Sequence, residues 1–146
     1  MIPQDPNFKE KAYSIFSKAN FVNDVGIELT DVGPGWSESI LNIIPKHLQQ
    51  DQFIHAGVQA TMADHTAGAA AGSLVKENET ILSVEFKINL LRPAIGEQLR
   101  CRAEVLKQGK TLTIVESAVY AINDNQEKLV SKATVTLAIV SKPEIL

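Results

Sequence analysis

Apolar positions along the chain recur with two different periods, which separate helical from extended segments. Near the N-terminus they follow a helical period, and Asp5-Pro6 before them is typical of a helix start. The apolar stripe consists of Phe8, Ala12, Ile15, Phe16 and Ala19. We therefore predict a covering helix within residues 1–20.

Later segments alternate apolar and polar residues, as half-buried strands do. Around the Pro34-Gly35 turn, the stretches 27–30 and 36–44 predict a hairpin. Four further strands follow residue 80, separated by turn sequences, and we expect them to form a meander. The first should bury the apolar face formed by Val84, Phe86, Ile88 and Leu90.

One long stretch between the hairpin and the meander has neither period. From Ala56 to Val75 it lacks proline and consists largely of alanine and glycine. It predicts a central helix over about residues 56–76, although each interior glycine costs about 1 kcal/mol relative to alanine. We expect close packing along it, with an antiparallel sheet wrapped around the helix in an α+β fold.

Composition narrows the classes of protein to which the chain can belong. Its 146 residues predict one domain, with 1–20 as the N-terminal helix and 21–141 as the core. A net charge of −3 without a basic face argues against nucleic-acid binding, and no stretch reaches the roughly 20 apolar residues of a membrane span. Cys101 is the single cysteine, and residues 1–20 hold no continuous apolar run, so we expect a cytoplasmic protein.

Asp64 is the least expected residue of the predicted central helix. It lies in an apolar segment, and no basic residue is four positions away on either side. Such a carboxylate is costly to bury unless it is solvated, hydrogen-bonded or used in chemistry. The start of the same helix, His55-Ala56-Gly57, presents free backbone N–H groups that suit an oxyanion. About 12 Å of helix separates the two features, so a site that uses both needs two antiparallel helices and hence a homodimer.

Three sequence segments together resemble a known enzyme family. The segments are H-A-G-V-Q-A-T-M-A-D-H-T-A-G-A-A-A, S-V-E-F-K-I-N-L-L-R-P-A and V-L-K-Q-G-K-T-L. They look like the hotdog-fold thioesterases of the PaaI-like branch, over roughly residues 20–140. The resemblance implies the hotdog fold, acyl-CoA hydrolysis without a cofactor, and assembly as a homodimer or a dimer of dimers.

The resemblance also implies roles for particular residues. Asp64 matches the family's general base or nucleophile, and Ser83 matches a helper serine. The family's oxyanion glycine falls on Ala56, which keeps a backbone N–H, and Gly57 follows it. An asparagine of some relatives falls on Gln49, one methylene longer. These two departures keep open a non-catalytic acyl-CoA binding module.

Other candidate residues carry weaker signals. His55 could serve a hydratase or dehydratase acting on acyl thioesters, although no second acid is placed for that reaction. Arg92, Lys107 and Lys110 are candidates for the phosphates of the substrate, and Met62, Phe53 and Leu90 for the acyl pocket. We expect His65 to be a satisfied structural or interface histidine. The spacing of His55, Asp64 and His65 does not favour a metal site, and Cys101 has no base beside it.

Overall fold

The computed structural model describes residues 1–142, which form three α-helices and six β-strands. Two short helices precede a hairpin, a long helix follows, and four strands complete the chain. In chain order the elements are α1 Phe8–Lys18, α2 Asn20–Val25, β1 Glu28–Gly33, β2 Trp36–Asn42, α3 Ala56–Gly72, β3 Glu79–Leu90, β4 Gln98–Gln108, β5 Leu112–Asn123 and β6 Gln126–Ser141.

The strands form one antiparallel sheet in the order β1-β2-β4-β5-β6-β3. The long helix α3 packs against this sheet and contacts every strand. The predicted hairpin is β1 and β2, which meet at the turn between Gly33 and Trp36. A central helix wrapped by an antiparallel sheet is the hotdog fold, so the predicted α+β class is confirmed.

The predicted four-strand meander is wrong for its first strand. Only β4, β5 and β6 follow one another in the sheet, whereas β3 pairs with β6 at the far edge. The connection of residues 91–97 carries the chain from the edge strand β3 past β6 and β5 to β4. Alternating apolar residues identify a strand but not its neighbour, because the same pattern suits any position in an antiparallel sheet.

Small residues and hydroxyl groups bring the buried face of α3 close to the sheet. The Ser37 hydroxyl donates to the Thr66 carbonyl at 2.6 Å, and the Ser117 hydroxyl donates to the Ala63 carbonyl at 2.8 Å. The Ser39 and Thr66 hydroxyls lie 2.6 Å apart. These bonds fix the rotation of α3 about its axis, which decides which side chains face away from the sheet.

The helix ends at Gly72, four residues earlier than predicted. Ser73 lies at the C-cap, where its hydroxyl donates to the Ala70 carbonyl at 2.7 Å and accepts from the Gly35 N–H at 2.8 Å. A serine hydroxyl that satisfies backbone groups competes with continued helix. The sequence gives no sign of this ending, because the next apolar residues, Leu74 and Val75, are also buried.

Three of the four residues predicted to be buried on β3 are exposed in the single chain, whereas Ile88 is half-buried and packs against the core. Val84, Phe86 and Leu90 are 59%, 43% and 51% exposed, and a bulge between Ser83 and Glu85 interrupts the alternation. Phe86 lies opposite the buried Val135 and so faces the helix side of the sheet. Its exposure follows from the edge position of β3, beyond which no strand of residues 1–142 lies.

The predicted covering helix is present but begins at Phe8, with Asn7 as N-cap, rather than at Pro6 with Asp5 as N-cap. The buried Asp5 carboxylate accepts a hydrogen bond from the Asn7 N–H at 2.8 Å and stabilises a turn before the helix. Ala12 and Phe16 are buried, as the apolar stripe predicts. No helix among residues 1–142 is long and apolar enough to cross a membrane.

Candidate active site

Asp64 lies on the side of α3 that faces away from the sheet core, next to the first half of β3. The Ser83 hydroxyl donates a hydrogen bond to Asp64 Oδ1 at 2.6 Å. Ser83 directly precedes the bulge, opposite Leu137. Its register sets its side chain on the helix side of the sheet, so helix rotation and strand register together create this pair.

No cation neutralises the Asp64 carboxylate within the part of the chain that is described. The ion pairs found there involve other acids, namely Asp5, Asp31, Glu38, Glu104, Glu116 and Glu127. Asp64 is only half-buried and lines a cavity, as does Ser83. A carboxylate that is oriented by a hydroxyl, lacks a cation and can reach water has the properties of a base.

The start of α3 has one free N–H group. His55 is the N-cap residue, and its Nδ1 accepts a hydrogen bond from the Gly57 N–H at 2.8 Å. The N–H groups of Val58 and Gln59 donate to the His55 carbonyl. Among the hydrogen bonds of residues 1–142, none uses the Ala56 N–H. Of the two predicted oxyanion donors, Ala56 is therefore available, while Gly57 is engaged by the His55 ring.

Gly57 has a local structural reason to be glycine. A Cβ atom at this position would lie 3.0 Å from His55 Nδ1. The short contact follows from the imidazole folding back onto the helix start to cap it. His55 thus shapes and orients the helix start, which is a structural contribution to the candidate site.

Asp64 and Ala56 lie on the same continuous helix, which fixes their separation. Eight residues at 1.5 Å per residue place them about 12 Å apart along the axis. A single carbonyl cannot contact both groups of one chain. The structure therefore agrees with the sequence-based inference that a site using both groups needs two chains.

Gln49 is occupied in a turn before α3. Its side-chain oxygen accepts a hydrogen bond from the Asp51 N–H, and its backbone bonds with Gln52 and Phe53. No hydrogen bond described for residues 1–142 joins Gln49 to Asp64 or Ser83. In the single chain the structure gives Gln49 a turn-forming role.

The three candidate cations lie at two ends of the sheet. The register aligns Gln108, Thr113, Leu137 and Ser83 in one row, so Lys107 and Lys110 are at the Ser83 end. Arg92 follows the other end of β3. That end lies about 20 Å from Ser83 along the strand, at 3.3 Å per residue. All three are exposed. One chain brings only the two lysines near the row of Ser83.

Met62 was expected in the acyl pocket but belongs to the core. Its side chain is 0% exposed on the face of α3 that packs against the sheet. Phe53 and Leu90 also lie outside the lining of the cavity next to Asp64. Residues of α1 line this cavity, among them Lys11 and Phe16, and were not predicted from the sequence. The apolar stripe of α1 was the signal, because it showed that α1 packs on something.

His65 lies beside Asp64, and its ring packs edge-on against Phe16 with the ring centroids 4.3 Å apart. Burial lowers the pKa of His65 below its ordinary value, and the Asp64 charge opposes part of that shift. Its Nε2 is buried and has no hydrogen-bond partner in residues 1–142, so the expected satisfied structural histidine is wrong for the single chain. A neutral imidazole packed on an aromatic ring acts mainly as an apolar wall.

Two other chemistries lack support in the described residues. Burial raises the pKa of Cys101 to about 12, and the effects of Thr66 and Ser117, which lower this pKa, do not offset it. A protonated, buried thiol is not a nucleophile. No group of three or more His, Cys, Asp or Glu side chains between residues 1 and 142 is arranged to hold a metal ion.

Comparisons with known proteins agree with the fold and identify the family. The model of the Thioesterase superfamily matches residues 51–128, which include α3 and β3. A thioesterase family protein from Silicibacter pomeroyi is 36% identical, with a TM-score of 0.88 over 90% of this chain and 97% of that chain. The 1,4-dihydroxy-2-naphthoyl-CoA hydrolase of Listeria monocytogenes is 27% identical over 118 residues, which are 81% of this chain and 94% of the relative.

The structure of the Escherichia coli PaaI protein shares the fold. Its TM-score is 0.79 at 19% identity, and the match covers 92% of this chain and 96% of that chain. The resemblance stated from the sequence is therefore confirmed. The chain is a thioester hydrolase and belongs to the Thioesterase superfamily.

Proposed function

We propose that the protein is an acyl-CoA thioesterase in which Asp64 is the general base. The observation that carries this proposal is the Asp64 carboxylate, which accepts a hydrogen bond from Ser83 Oγ at 2.6 Å, lines a cavity and forms no ion pair within residues 1–142. Water adds through its oxygen to the thioester carbonyl carbon while Asp64 accepts a water proton. The carbon–sulfur bond then breaks, and the thiolate of CoA leaves and takes up a proton.

The developing oxyanion needs donors, and the Ala56 N–H is the candidate. It points out of the helix start, where the positive end of the helix dipole adds to its effect. An alanine in place of glycine does not remove this group, because the donor is backbone. His55 supports the arrangement by holding the adjacent Gly57 N–H.

The distance along α3 requires that Asp64 and Ala56 of different chains meet, so we propose a homodimer. The edge strand β3 supports it: twelve residues long, it exposes Leu82, Val84, Phe86 and Leu90. A long apolar edge strand left unpaired is an aggregation hazard. A second copy paired antiparallel along β3 would cover it, and would set the Arg92 end of one chain beside the Glu79 end of the other.

The two alternative functions, a hydratase or dehydratase and a non-catalytic binding module, need different features of the site. A hydratase needs a histidine facing an acid across one site, but His55 Nδ1 here accepts the Gly57 N–H. A binding module needs no base. The Listeria relative is named as a CoA thioester hydrolase, which favours hydrolysis for this chain too.

We expect free thiol to be released from acyl-CoA substrates in a coupled thiol assay at neutral pH. The same samples, tested with an enoyl-CoA, should show no loss of enoyl absorbance from hydration. Hydration without thiol release would establish the hydratase. Saturable binding with neither reaction would establish the binding module.

Replacing Ser83 by alanine should lower kcat by roughly 10-fold, less than the loss of Asp64 itself. The variant removes one hydrogen bond to a charged group, worth about 1.5 kcal/mol at the lower end of the usual range, but leaves the base in place. Ser83→Thr, which keeps a hydroxyl, is the matched control and should recover part of kcat. A loss for Ser83→Ala as large as that for Asp64→Asn would contradict this ranking of the two residues.

A further inference from the structure

A cavity of about 130 Å³ lies between α1, α3 and the first half of β3. Asp64 and Ser83 line it, and so do Gly68 and Gly72 farther along the same helix. At 1.5 Å per residue, these glycines lie about 6 Å and 12 Å beyond Asp64 along the axis. The cavity therefore extends from the proposed reacting atoms towards the C-terminal end of α3.

The two glycines face empty space rather than closely packed neighbours. A Cβ atom built on either one would meet no heavy atom within 4 Å. The sequence-based expectation of close packing along the helix therefore holds for the alanines on its sheet-facing side but is wrong for Gly68 and Gly72. Helical glycine costs about 1 kcal/mol relative to alanine, and here that cost keeps a volume open beside Asp64.

The helix α1 covers this volume and is anchored on both sides. Lys11 Nζ donates to the carbonyls of Lys76 and Glu79, each at 3.0 Å, next to the end of α3. The Tyr13 hydroxyl donates to the Thr30 carbonyl at 3.0 Å on the opposite edge of the sheet. Phe16, packed against His65, closes the cavity beside Asp64. A wall held in this way limits what can enter.

We propose that this cavity holds the acyl group of the thioester, and that α1 restricts the enzyme to compact acyl groups, either a short chain or a single ring. The inference rests on the proposed function, since it needs the thioester carbonyl at Asp64. A cavity of about 150 Å³ lined by apolar side chains holds a benzene molecule, so about 130 Å³ suits a group of similar size. A palmitoyl chain is several times larger.

The acyl specificity follows from measuring kcat/KM with a series of CoA thioesters. From acetyl- to hexanoyl-CoA, each buried methylene should raise kcat/KM by about fourfold, corresponding to about 0.8 kcal/mol. Phenylacetyl-CoA tests the single ring, and palmitoyl-CoA the excluded class, with an expected kcat/KM at least about 100-fold below that of hexanoyl-CoA. Palmitoyl-CoA turned over as well as hexanoyl-CoA would overturn the inference.

The glycine positions test the cavity itself. Gly68→Val should lower the kcat/KM ratio of hexanoyl- to acetyl-CoA at least about 10-fold, because it fills space one turn from Asp64. Gly72→Val, one turn farther on, should affect hexanoyl-CoA less than Gly68→Val does. Gly68→Ala adds only a Cβ atom and should fall between wild type and valine. Folded variants, as judged by circular dichroism, with an unchanged ratio would place the acyl group elsewhere.

The anchoring of α1 is tested by Lys11→Met, with Lys18→Met as the matched control at an exposed position of the same helix. Loss of the Lys11 bonds should raise the ratio of palmitoyl- to hexanoyl-CoA turnover, and Lys18→Met should leave this ratio unchanged. Equal ratios in both variants would exclude α1 as the restricting wall. Should Lys11→Met fail to fold, the glycine series decides. Absence of hydrolysis with every thioester would instead refute the proposed function, whereas hydrolysis with an unaltered acyl profile refutes only this inference.

Discussion

Asp64→Asn should lower kcat for thioester hydrolysis by about 10²–10⁴-fold and leave the fold intact. Asparagine has nearly the same volume, and its side-chain oxygen can still accept the Ser83 hydrogen bond seen at 2.6 Å. What it loses is the ability to take a proton from water. Binding of a non-hydrolysable acyl-CoA analogue should persist, so the loss should appear in kcat rather than in affinity.

The control for this variant is Asp24→Asn, which neutralises an exposed carboxylate near the end of α2. Its kcat should stay close to wild type. Thermal unfolding of both variants, followed by circular dichroism, separates a chemical loss from a folding defect. Near wild-type turnover by a folded Asp64→Asn enzyme would remove Asp64 from the mechanism.

The strands and α1 could be predicted from periodicity and α3 from its composition, but the short helix α2 and the position of one strand could not. The segment around Phe86 and Ile88 alternates as clearly as the central strands do. Strand β3 nevertheless lies at an edge, because the connection after Arg92 crosses the sheet. Local patterns report which side of a strand is apolar, and they do not report which strand pairs with it or whether a further chain covers it.

Some features of the candidate site could be predicted from the sequence and others could not. Asp64 could be found from physics alone, since an unpaired acid in an apolar helix needs a reason. The link from Ser83 to Asp64 joins residues 19 positions apart. It came from the family resemblance, because no local rule connects a strand residue to a helix residue. The engagement of Gly57 by His55 depends on a side-chain orientation that spacing does not determine.

The second large effect concerns the Ala56 N–H, which Ala56→Pro removes. Proline is well tolerated at the first position of a helix, where Ala56 lies, because its N–H has no intrahelical partner. The preceding residue must be extended, and His55 already has φ −59° and ψ 139°. We therefore expect a folded protein whose kcat is about 10²–10³-fold lower, as for the loss of one oxyanion donor. Ala56→Gly, which keeps the N–H, is the matched control.

Hybrid dimers of the two variants show whether the groups act across an interface. Differently tagged Asp64→Asn and Ala56→Pro chains would be mixed, allowed to exchange and purified through both tags. If each site takes Asp64 from one chain and Ala56 from the other, one site of the hybrid carries both lesions and the other carries none. The two sites of a symmetric dimer are equivalent in the wild type. The hybrid should therefore regain about half of the wild-type activity. A folded hybrid as inactive as its parents would show that both groups serve the same chain, and a fully active monomer would exclude a shared site altogether.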